Sequence, residues 1–466
     1  MSLKELLINS KARLGVWGCG YIGFTTMINF AQEGIYSIGC DVSPNVVQEI
    51  KEGKTHIPNL DFWIGYHIGD LVRNMIAATD NWKDMMADDI KVHLIAVPTE
   101  RGGEPWFEPL QDVIDKLALR KKSDVPDLVI IESTLTPGMF DKVVVATFES
   151  FGIKVGKDVL VGIAPRRDWF DSPEKNLKAL NRVIGGTTPE TTQIMKEVLG
   201  IVCDKLIPSD AHTTELVKSV ENSIFHVCAV YASQLACAYP NVNIREVLKL
   251  ASTHWRIPLY FPSVGTGGYC IPVSSKYVLN GAEVPEVLSI TKDTLKFDQE
   301  QPTRVADMIV ERTNGGAIGV LGLSYKRDLK VHVLSASLRI INELKERGVV
   351  VKAFDPYYSE AETLQVAGVE SFACPDELGQ FKGLIVVPPH RVFSQIPKNM
   401  LLDNINNGTI ILDNEGVWQK WRDDFKFKGI KYYCIGDKGW YSHGMETYTE
   451  KEKSKPINTR RNTSGR

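Results

Sequence analysis

The sequence lacks the residue patterns of metal-binding, disulfide-linked and membrane-spanning proteins. Its eight cysteines include no C-x-x-C pair and its nine histidines no H-x-x-x-H pair, which argues against a structural zinc site or a disulfide framework. No apolar run reaches the roughly 18–20 residues that span a bilayer, and the first residues lack the basic and apolar segments of a secretory leader. The sequence therefore predicts a cytoplasmic protein with no membrane partner.

An excess of either charge is also missing. The 54 basic and 57 acidic side chains leave a net charge of −3, which argues against a nucleic acid as the partner. Hydrophobic residues make up 43% of the chain, near the average of globular proteins, so a sizeable core can form. A length of 466 residues predicts two or three domains.

Strand and helix patterns alternate in the first part of the chain. Short apolar strands are predicted at 13–17, 37–40, 92–97 and 128–131, and an amphipathic helix is predicted at 24–32. This alternation is typical of a doubly wound parallel sheet.

Helices are predicted for the middle of the chain, and a second α/β unit follows them. One long helix without Gly or Pro is predicted at 213–239, where it would bridge two domains or form a dimer interface, and a second helix is predicted at 244–251. A turn-rich segment follows at 261–270. The second α/β unit has a predicted helix at 336–347 and predicted strands at 317–323, 349–354, 383–387 and 409–412.

A glycine motif, Gly18-Cys19-Gly20-Tyr21-Ile22-Gly23, follows the first strand and opens the first helix. In that context G-x-G-x-x-G is the fingerprint of a dinucleotide-binding loop. Gly18 makes the tight turn, Gly20 leaves room for the pyrophosphate, and Gly23 permits close packing of helix and strand. Asp41 ends the second strand, where a carboxylate binds the adenosine ribose and repels the extra phosphate of NADP. We therefore predict NAD as the cofactor.

A second glycine-rich loop, Gly267-Gly268-Tyr269-Cys270, presents a single cysteine. A thiolate becomes reactive when cations or aligned donors stabilise it, and Lys218 and Asn222 share one face of the long helix. Taken alone, a free cysteine is usually a small buried residue, and a Lys–Asn pair is usually solvated. The residues by themselves therefore leave open whether this is a catalytic site or an ordinary buried cysteine beside a solvated Lys–Asn pair.

The order of these segments resembles the UDP-glucose/GDP-mannose dehydrogenase family, particularly the branch that oxidises UDP-N-acetylhexosamines. The likeness runs from about residue 14 to about residue 418. It rests on G-x-G-G-x-C-I-P-V at 265–273, E-L-V-K-x-x-x-N at 215–222, V-P-T at 97–99, E-S-T at 132–134, G-L-S-Y-K-x-D at 322–328 and D-P at 355–356. Each motif is modest, but their order and spacing together are specific.

The resemblance implies oxidation of an alcohol through an aldehyde to an acid, with two hydride transfers to NAD. Cys270 would form the covalent intermediates, Lys218 and Asn222 would stabilise the oxyanions, and Thr134 would position water and cofactor. We expect the cofactor to contact Gly18, Gly20, Tyr21, Ile22, Gly23, Asp41, Val97, Pro98, Thr99, Ser133 and Thr134. The resemblance places the last five of these on the nicotinamide side of the cofactor. We expect the nucleotide-sugar substrate to contact Arg166, Arg167, Lys218, Asn222, Arg256, Gly267, Gly268, Tyr325 and Lys326.

The predicted architecture is α/β, with two Rossmann-like doubly wound parallel-sheet domains joined by a helical central domain. Residues 1–205 would form the NAD-binding domain, and residues 206–305 the central, dimerisation domain with the cysteine loop. Residues 306–447 would bind the nucleotide sugar, and residues 448–466 would be a disordered tail. The resemblance also implies a homodimer.

Four positions depart from the family pattern. Arg166 stands where the family has the glutamate that activates the hydrolytic water, and Ser274 stands where it has an aspartate. A guanidinium cannot act as a base near neutral pH, and a serine is a poor base without a partner. The family's R-E-S-P-A becomes V-L-S-A-S at 333–337, which loses an arginine, and its K-P-D becomes K-R-D at 326–328.

These departures leave three functions open. The first is a four-electron dehydrogenase that makes a uronic acid for surface polysaccharide or glycan synthesis. The second is a two-electron dehydrogenase that stops at an aldehyde or ketone, and Arg166 could then bind an extra acidic group on its substrate. The third is a non-catalytic protein that binds a nucleotide sugar, which the retention of Cys270, Lys218 and Asn222 argues against.

Overall fold

The computed structural model of the protein describes residues 1–57, 60–65, 67–168 and 174–441. The strands are β1 (Arg13–Trp17), β2 (Ser37–Cys40), β3 (Ile76–Thr79), β4 (Ile90–Ile95), β5 (Glu100–Arg101), β6 (Glu104–Pro105), β7 (Asp127–Ile131), β8 (Val159–Ile163), β9 (Arg182–Gly186), β10 (Leu206–Asp210), β11 (Ile318–Leu321), β12 (Val351–Phe354), β13 (Gly383–Val386), β14 (Ile410–Asp413) and β15 (Lys431–Cys434).

The α-helices are α1 (Leu3–Ile8), α2 (Tyr21–Gln32), α3 (Pro44–Lys51), α4 (Leu60–Ile64), α5 (Gly69–Met75), α6 (Glu108–Ala118), α7 (Ala146–Ser150), α8 (Pro189–Leu199), α9 (Ala211–Ala238), α10 (Ile244–Ala251), α11 (Ile271–Gly281), α12 (Ser289–Thr313), α13 (Ala336–Glu346), α14 (Glu360–Ala367), α15 (Arg391–Gln395), α16 (Lys398–Asn404) and α17 (Arg422–Phe427). Shorter helical segments lie at Trp82–Met86, Phe140–Val145, Pro285–Val287, Leu378–Gln380 and Gln419–Trp421.

The chain divides into two compact units. The first combines residues 1–224 with 269–291, and the second combines 225–268 with the described part of 292–466. The residues predicted to form a central domain are shared between these units, because α9 and α12 each continue from one unit into the other. The three domain boundaries therefore stay a prediction, and the tail predicted at 448–466 lies outside the described residues.

The first unit contains an eight-stranded sheet in the order β10-β9-β8-β7-β4-β1-β2-β3. The pairings are parallel except that between β8 and β9. Four residues of β7 in succession are buried, since helices cover both faces of such a sheet, and these strands therefore look like continuous apolar runs in the sequence. The predicted parallel sheet is confirmed, whereas the antiparallel pairing was not foreseen.

The second unit contains a five-stranded parallel sheet in the order β12-β11-β13-β14-β15. The strands predicted near 317, 349, 383 and 409 are confirmed within two residues at their starts, and so is the helix that begins at Ala336. The strand β15 was not predicted. Both halves of the chain thus form doubly wound α/β sheets, as the alternation of patterns indicates.

The middle of the chain is helical, as predicted. The long helix is α9, which extends over 28 residues, and the helix predicted at 244–251 is α10. Two further helices in this region, α11 and α12, were not predicted. Among the described residues, none of the helices is both long and apolar enough to cross a bilayer.

Candidate functional site

The glycine loop after β1 has the backbone shape that a dinucleotide requires. Gly18 has a φ of +86°, and an added Cβ there would lie 2.7 Å from Ala96 O. A Cβ on Gly23 would lie 1.9 Å from Gly18 O, whereas a Cβ on Gly20 would meet nothing within 4 Å. The space beside Gly20 opens at the N-terminus of the 12-residue helix α2, where backbone N–H groups and the helix dipole favour a pyrophosphate.

Asp41 is held rigidly next to this loop. Its Oδ2 accepts a hydrogen bond from the Cys19 N–H at 2.7 Å, and its Oδ1 accepts one from the Ser43 N–H at 2.8 Å. Since β1 and β2 are parallel neighbours, the carboxylate lies at the same sheet edge as the glycine loop. A fixed carboxylate at this point fits the ribose of NAD and disfavours the extra phosphate of NADP.

Alanine at two of these glycines should separate binding from folding. We expect Gly20→Ala to leave the melting temperature within about 2 °C of the wild type, because its Cβ meets no protein atom. NAD affinity should still fall at least about tenfold, because the methyl group occupies space needed by the pyrophosphate. Gly23→Ala should lower both quantities, since its Cβ collides with Gly18 O. Thermal denaturation and NAD titration by fluorescence measure the two effects, and equal loss of stability in both variants would contradict this account.

The loops that follow β4 and β7 are linked to each other by hydrogen bonds. Ser133 Oγ donates to Val97 O at 2.7 Å, and Thr99 Oγ1 donates to Thr134 O at 2.6 Å. The four residues, with Pro98 between Val97 and Thr99, therefore form one cluster at the edge that carries the glycine loop. This cluster contains every residue that the sequence assigned to the nicotinamide side of the cofactor.

Cys270 is exposed and precedes the first residue of α11, at the N-cap. The N-terminus of a helix favours negative charge, so this position stabilises a thiolate. Asn222 on α9 reaches the same point, because its Nδ2 lies 3.0 Å from Ser274 Oγ and 3.4 Å from Cys270 O. Lys218, one turn earlier on α9, is half-buried and has no hydrogen bond or ion pair to the residues that the structure describes.

Ser274 has a structural contact of its own in place of the family's aspartate. Its side chain is buried, and its hydroxyl accepts the hydrogen bond from the Asn222 amide. The two amide hydrogens of Asn222 are thereby directed at Ser274 and at the Cys270 carbonyl. In this geometry Asn222 holds the N-terminus of α11, and its predicted role as an oxyanion donor would require the amide to turn.

The helix α9 is itself anchored to the loop after β7. Glu215 accepts hydrogen bonds from the backbone N–H groups of Gly138 and Phe140, both at 2.8 Å. Ser219 Oγ donates to Leu135 O at 3.2 Å. Burial raises the pKa of Glu215, although these two N–H donors partly oppose that effect. These hydrogen bonds fix the position of α9, and with it that of Lys218 and Asn222, relative to the loop after β7.

Arg166 is buried, and its guanidinium is bonded inside the protein. Its side chain is 2% exposed, and its Nε and Nη2 each lie 2.6 Å from the carboxylate of Asp168. The other N–H groups donate to Ile22 O, Thr25 Oγ1 and Thr26 Oγ1 of α2. A guanidinium has five N–H donors, and all five are used inside the protein. Arg166 thus holds Asp168 to the dinucleotide helix, and these acceptors come together only in the fold. A contact between Arg166 and the substrate stays a prediction.

Arg167 does not share the contacts of Arg166 and pairs instead with Glu221, the residue before Asn222. Its Nη2 forms an ion pair with Glu221, and its Nη1 donates to Asn181 O at 3.2 Å. The Arg167 side chain is 22% exposed. A contact between Arg167 and the substrate stays a prediction.

In the second unit, the glycine residues before Cys270 pack against the loop after β11. A Cβ on Gly267 would lie 2.8 Å from Tyr325 Cβ, and one on Gly268 would lie 2.5 Å from Tyr325 Cε2. Gly268 has a φ of +79°, and its N–H donates to Val333 O at 3.0 Å. The Tyr325 ring therefore requires glycine at both positions.

Thr266, just before these glycines, is held by a buried carboxylate. Asp298 accepts hydrogen bonds from the Thr266 N–H at 2.8 Å and from its hydroxyl at 2.7 Å. Arg339 of α13 donates to Thr266 O. A guanidinium is thus present near this loop although the family's arginine is replaced by Val333.

The loop that carries Tyr325 and Lys326 is also tied to the end of β12. Asp355 Oδ2 accepts hydrogen bonds from Leu323 N–H at 2.7 Å and Ser324 N–H at 3.1 Å. This arrangement repeats that of Asp41 and Cys19 in the first unit. Lys326 is half-buried in this loop, where its predicted contact with a nucleotide sugar stays a prediction.

Arg256 lies on the surface of the second unit. Its guanidinium stacks on Trp255 at 4.5 Å from the ring centroid. Both residues are exposed, and nothing in the described residues tests the predicted substrate contact of Arg256.

Sequence reasoning missed Tyr277, whose hydroxyl donates to Thr99 O at 2.8 Å. The available signal was its spacing, since Tyr277 follows Cys270 by two helical turns once α11 is recognised. It also missed a buried ion pair between Glu132 and Arg182 at 2.5 Å, for which the sequence carries no local signal.

Known proteins resemble this chain over most of its length. Three domain models of the UDP-glucose/GDP-mannose dehydrogenase family match it: the NAD binding domain at 12–201, the central domain at 212–296 and the UDP binding domain at 319–420. A UDP-N-acetyl-D-mannosamine dehydrogenase of Pyrococcus horikoshii is 26% identical over 433 residues, which cover 90% of this chain and 99% of that protein. One from Campylobacter jejuni is 29% identical over 354 residues, which cover 72% of this chain and 84% of that protein.

A solved structure shows the same likeness. The UDP-D-ManNAc dehydrogenase from Pyrococcus horikoshii superposes with a TM-score of 0.79 at 25% identity, covering 92% of this chain and 99% of that one. The glycine loop with its fixed aspartate fits the NAD that the first family domain binds. The chain belongs to the UDP-glucose/GDP-mannose dehydrogenase family and is an NAD-dependent nucleotide-sugar dehydrogenase.

Proposed function

We propose that this protein oxidises the primary alcohol of a UDP-N-acetylhexosamine to a carboxylate, with Cys270 as the covalent catalyst. The observation that carries the proposal is the position of an exposed cysteine at the N-cap of α11, beside Asn222 of α9. Lys218 lies one turn before Asn222 on the same helix. The substrate class is suggested by the relatives, which are UDP-N-acetyl-D-mannosamine dehydrogenases.

The roles of the side chains follow from their chemistry. NAD, when bound, accepts hydride from the substrate carbon. The Cys270 thiolate attacks the aldehyde carbon to form a C–S bond, and the resulting oxyanion is stabilised by the Lys218 ammonium. Loss of hydride from that carbon leaves a thioester on Cys270. Water then adds to the thioester carbon, the C–S bond breaks, and the carboxylate and the thiolate are released.

A second candidate is a two-electron oxidation that ends at the aldehyde. It is favoured by the absence of the family's two carboxylates, since Ser274 accepts a hydrogen bond from Asn222 and Arg166 is committed to Asp168. Neither group can take a proton from the hydrolytic water at neutral pH. Thioester hydrolysis should therefore be the slow step, and the predicted catalytic groups left to orient the water are Lys218 and Thr134.

Counting NADH against substrate distinguishes the two candidates. We expect about two NADH for each UDP-N-acetylhexosamine consumed, with a uronic acid as the product. One NADH with a released aldehyde would establish the two-electron reaction instead. No NADH with UDP-, GDP- or CDP-linked sugars would refute both.

We also propose a homodimer, formed through the apolar surface of residues 225–261 in the second unit. Trp255 is 81% exposed, Leu250 62% and Tyr231 58%. Monomeric proteins rarely leave so many large apolar side chains in contact with water, and a second copy of the chain is the partner that the family resemblance implies. Sedimentation of the intact protein tests this state.

We propose a cytoplasmic location and a role in supplying precursors for surface polysaccharide. None of the eight cysteines, all of which lie among the described residues, forms a disulfide, as is usual in a reducing compartment. The polysaccharide role follows from the proposed uronic acid product, which a glycosyltransferase would use as its nucleotide-linked donor.

A further inference from the structure

Tyr277 links the cysteine helix to the loops that follow β4 and β7. Its hydroxyl donates to Thr99 O at 2.8 Å and lies 3.0 Å from Thr99 Oγ1, which itself donates to Thr134 O at 2.6 Å. Tyr277 is only 3% exposed. Burial raises the pKa of its phenol, so the hydroxyl stays protonated and remains a donor at physiological pH.

Tyr277 and Cys270 lie on the same face of α11. They are seven residues apart, close to two turns of 3.6 residues, which is a rise of about 10 Å. A shift of Tyr277 along or around the helix axis therefore also moves the sulfur.

The far end of α11 is held by the same loop that carries Thr134. A Cβ on Gly281 would lie 2.7 Å from Pro137 O, so the helix backbone directly abuts this loop. At the near end, Asn222 holds the Cys270 carbonyl. Between these two contacts, Tyr277 makes a direct hydrogen bond to the cluster that the sequence assigned to the nicotinamide.

We propose that Tyr277 is a positioning residue that sets the distance between the Cys270 sulfur and the bound nicotinamide, an inference that rests on the proposed function. Hydride transfer requires reacting atoms to approach to about 3–3.5 Å, and a displacement near 1 Å can cost about 100-fold in rate. Thr99 belongs to the cofactor side and Cys270 to the substrate side. The Tyr277 hydroxyl is the group that joins them.

The alternative role for Tyr277 is to fill the core and satisfy Thr99. In that case removal of the hydroxyl would lower stability but leave the alignment of sulfur and cofactor intact. The two roles differ in measurements that report on hydride transfer and on access to Cys270, and they do not differ in thermal stability.

Tyr277→Phe in the full-length protein tests the proposal, with Tyr432→Phe as its matched control. Tyr432 is a buried tyrosine of the other sheet, and its hydroxyl donates to Asp413 at 2.7 Å. We expect kcat of Tyr277→Phe to fall about 10- to 100-fold. The KM values for NAD and for the nucleotide sugar should stay within about threefold of the wild type. The primary deuterium isotope effect, with deuterium on the oxidised carbon, should rise because hydride transfer becomes rate-limiting.

A measurement without turnover gives a second readout. Iodoacetamide alkylation of Cys270, followed by peptide mass spectrometry, should be slowed by saturating NAD in the wild type and in Tyr432→Phe. In Tyr277→Phe, at least about half of that protection should be lost, because the sulfur no longer lies against the cofactor.

The proposal would be overturned if Tyr277→Phe kept its kcat, isotope effect and NAD protection, or lost activity only in proportion to melting temperature, as Tyr432→Phe does. Failure of the wild type to form NADH from any nucleotide sugar would instead refute the proposed function. The alkylation measurement would still decide whether Tyr277 couples NAD to Cys270.

Discussion

Replacing Cys270 by alanine is expected to abolish formation of the carboxylate product, with a fall of at least about 10³-fold in its rate. The first oxidation needs no thiol, so the variant should form about one NADH for each substrate molecule and release the aldehyde. The effect is large because the methyl group of alanine cannot form the thioester. NADH absorbance, combined with trapping of the aldehyde by a hydrazine, measures both parts.

Cys374→Ala is the matched control for this variant. Cys374 is also a free, partly buried cysteine, but it lies in the second unit, and burial raises the pKa of its thiol to about 12. It stays protonated at neutral pH and should be dispensable. Full conversion to the acid by Cys270→Ala would show that the covalent mechanism is wrong.

Replacing Arg166 by alanine is expected to lower the free energy of unfolding by about 3–5 kcal/mol, because it leaves the buried carboxylate of Asp168 without a partner. Three further hydrogen bonds, to Ile22, Thr25 and Thr26 of α2, are lost with it. Urea denaturation of the full-length protein, followed by tryptophan fluorescence, measures the loss. Arg166→Leu combined with Asp168→Leu should recover most of it, because both charges are then removed.

The pH dependence of this loss has a defined sign. Burial acts to raise the pKa of Asp168, but the charge and the hydrogen bonds of Arg166, with smaller contributions from other groups, together lower that pKa overall. The contribution of the pair is therefore complete above the unfolded pKa of about 4 and is lost as the pH falls through the lower folded value. The difference between wild type and Arg166→Ala should shrink on acidification.

Arg167→Ala serves as the control for Arg166. Its partner Glu221 has a side chain that is 34% exposed, and ion pairs in contact with water contribute only about 0–1 kcal/mol. If Arg166→Ala were no less stable than Arg167→Ala and instead raised the KM for the nucleotide sugar, Arg166 would face the substrate after all.

Local sequence patterns were sufficient for the elements whose form depends on neighbouring residues. The strand at Arg13–Trp17 and the helix at Ile244–Ala251 were predicted with their observed limits, because apolar periodicity and flanking turn residues are local signals. The dinucleotide loop was predicted for the same reason. Gly18 has a positive φ, a backbone conformation that favours glycine whatever the rest of the fold.

The turn-rich segment predicted at 261–270 contains no helix or strand, as expected. The helix α11, which starts directly after it at Ile271, was not predicted although Pro272 lies in its first turn, a position where proline is favoured. The antiparallel pairing of β8 with β9 had no sequence signal, since strand direction depends on the path of the chain between them.

The sequence by itself determined the two α/β sheets, the dinucleotide loop and the family to which this enzyme belongs. Only the tertiary structure decided which polar side chains face each other. Arg166 forms a hydrogen bond with Thr26, which lies 140 positions away in the sequence, and Tyr277 forms one with Thr99, which lies 178 positions away. Buried polar groups must find partners wherever packing brings donors and acceptors together, and that proximity is a property of the fold. For this reason the contacts that Arg166 and Tyr277 make inside the protein could not be predicted from the sequence.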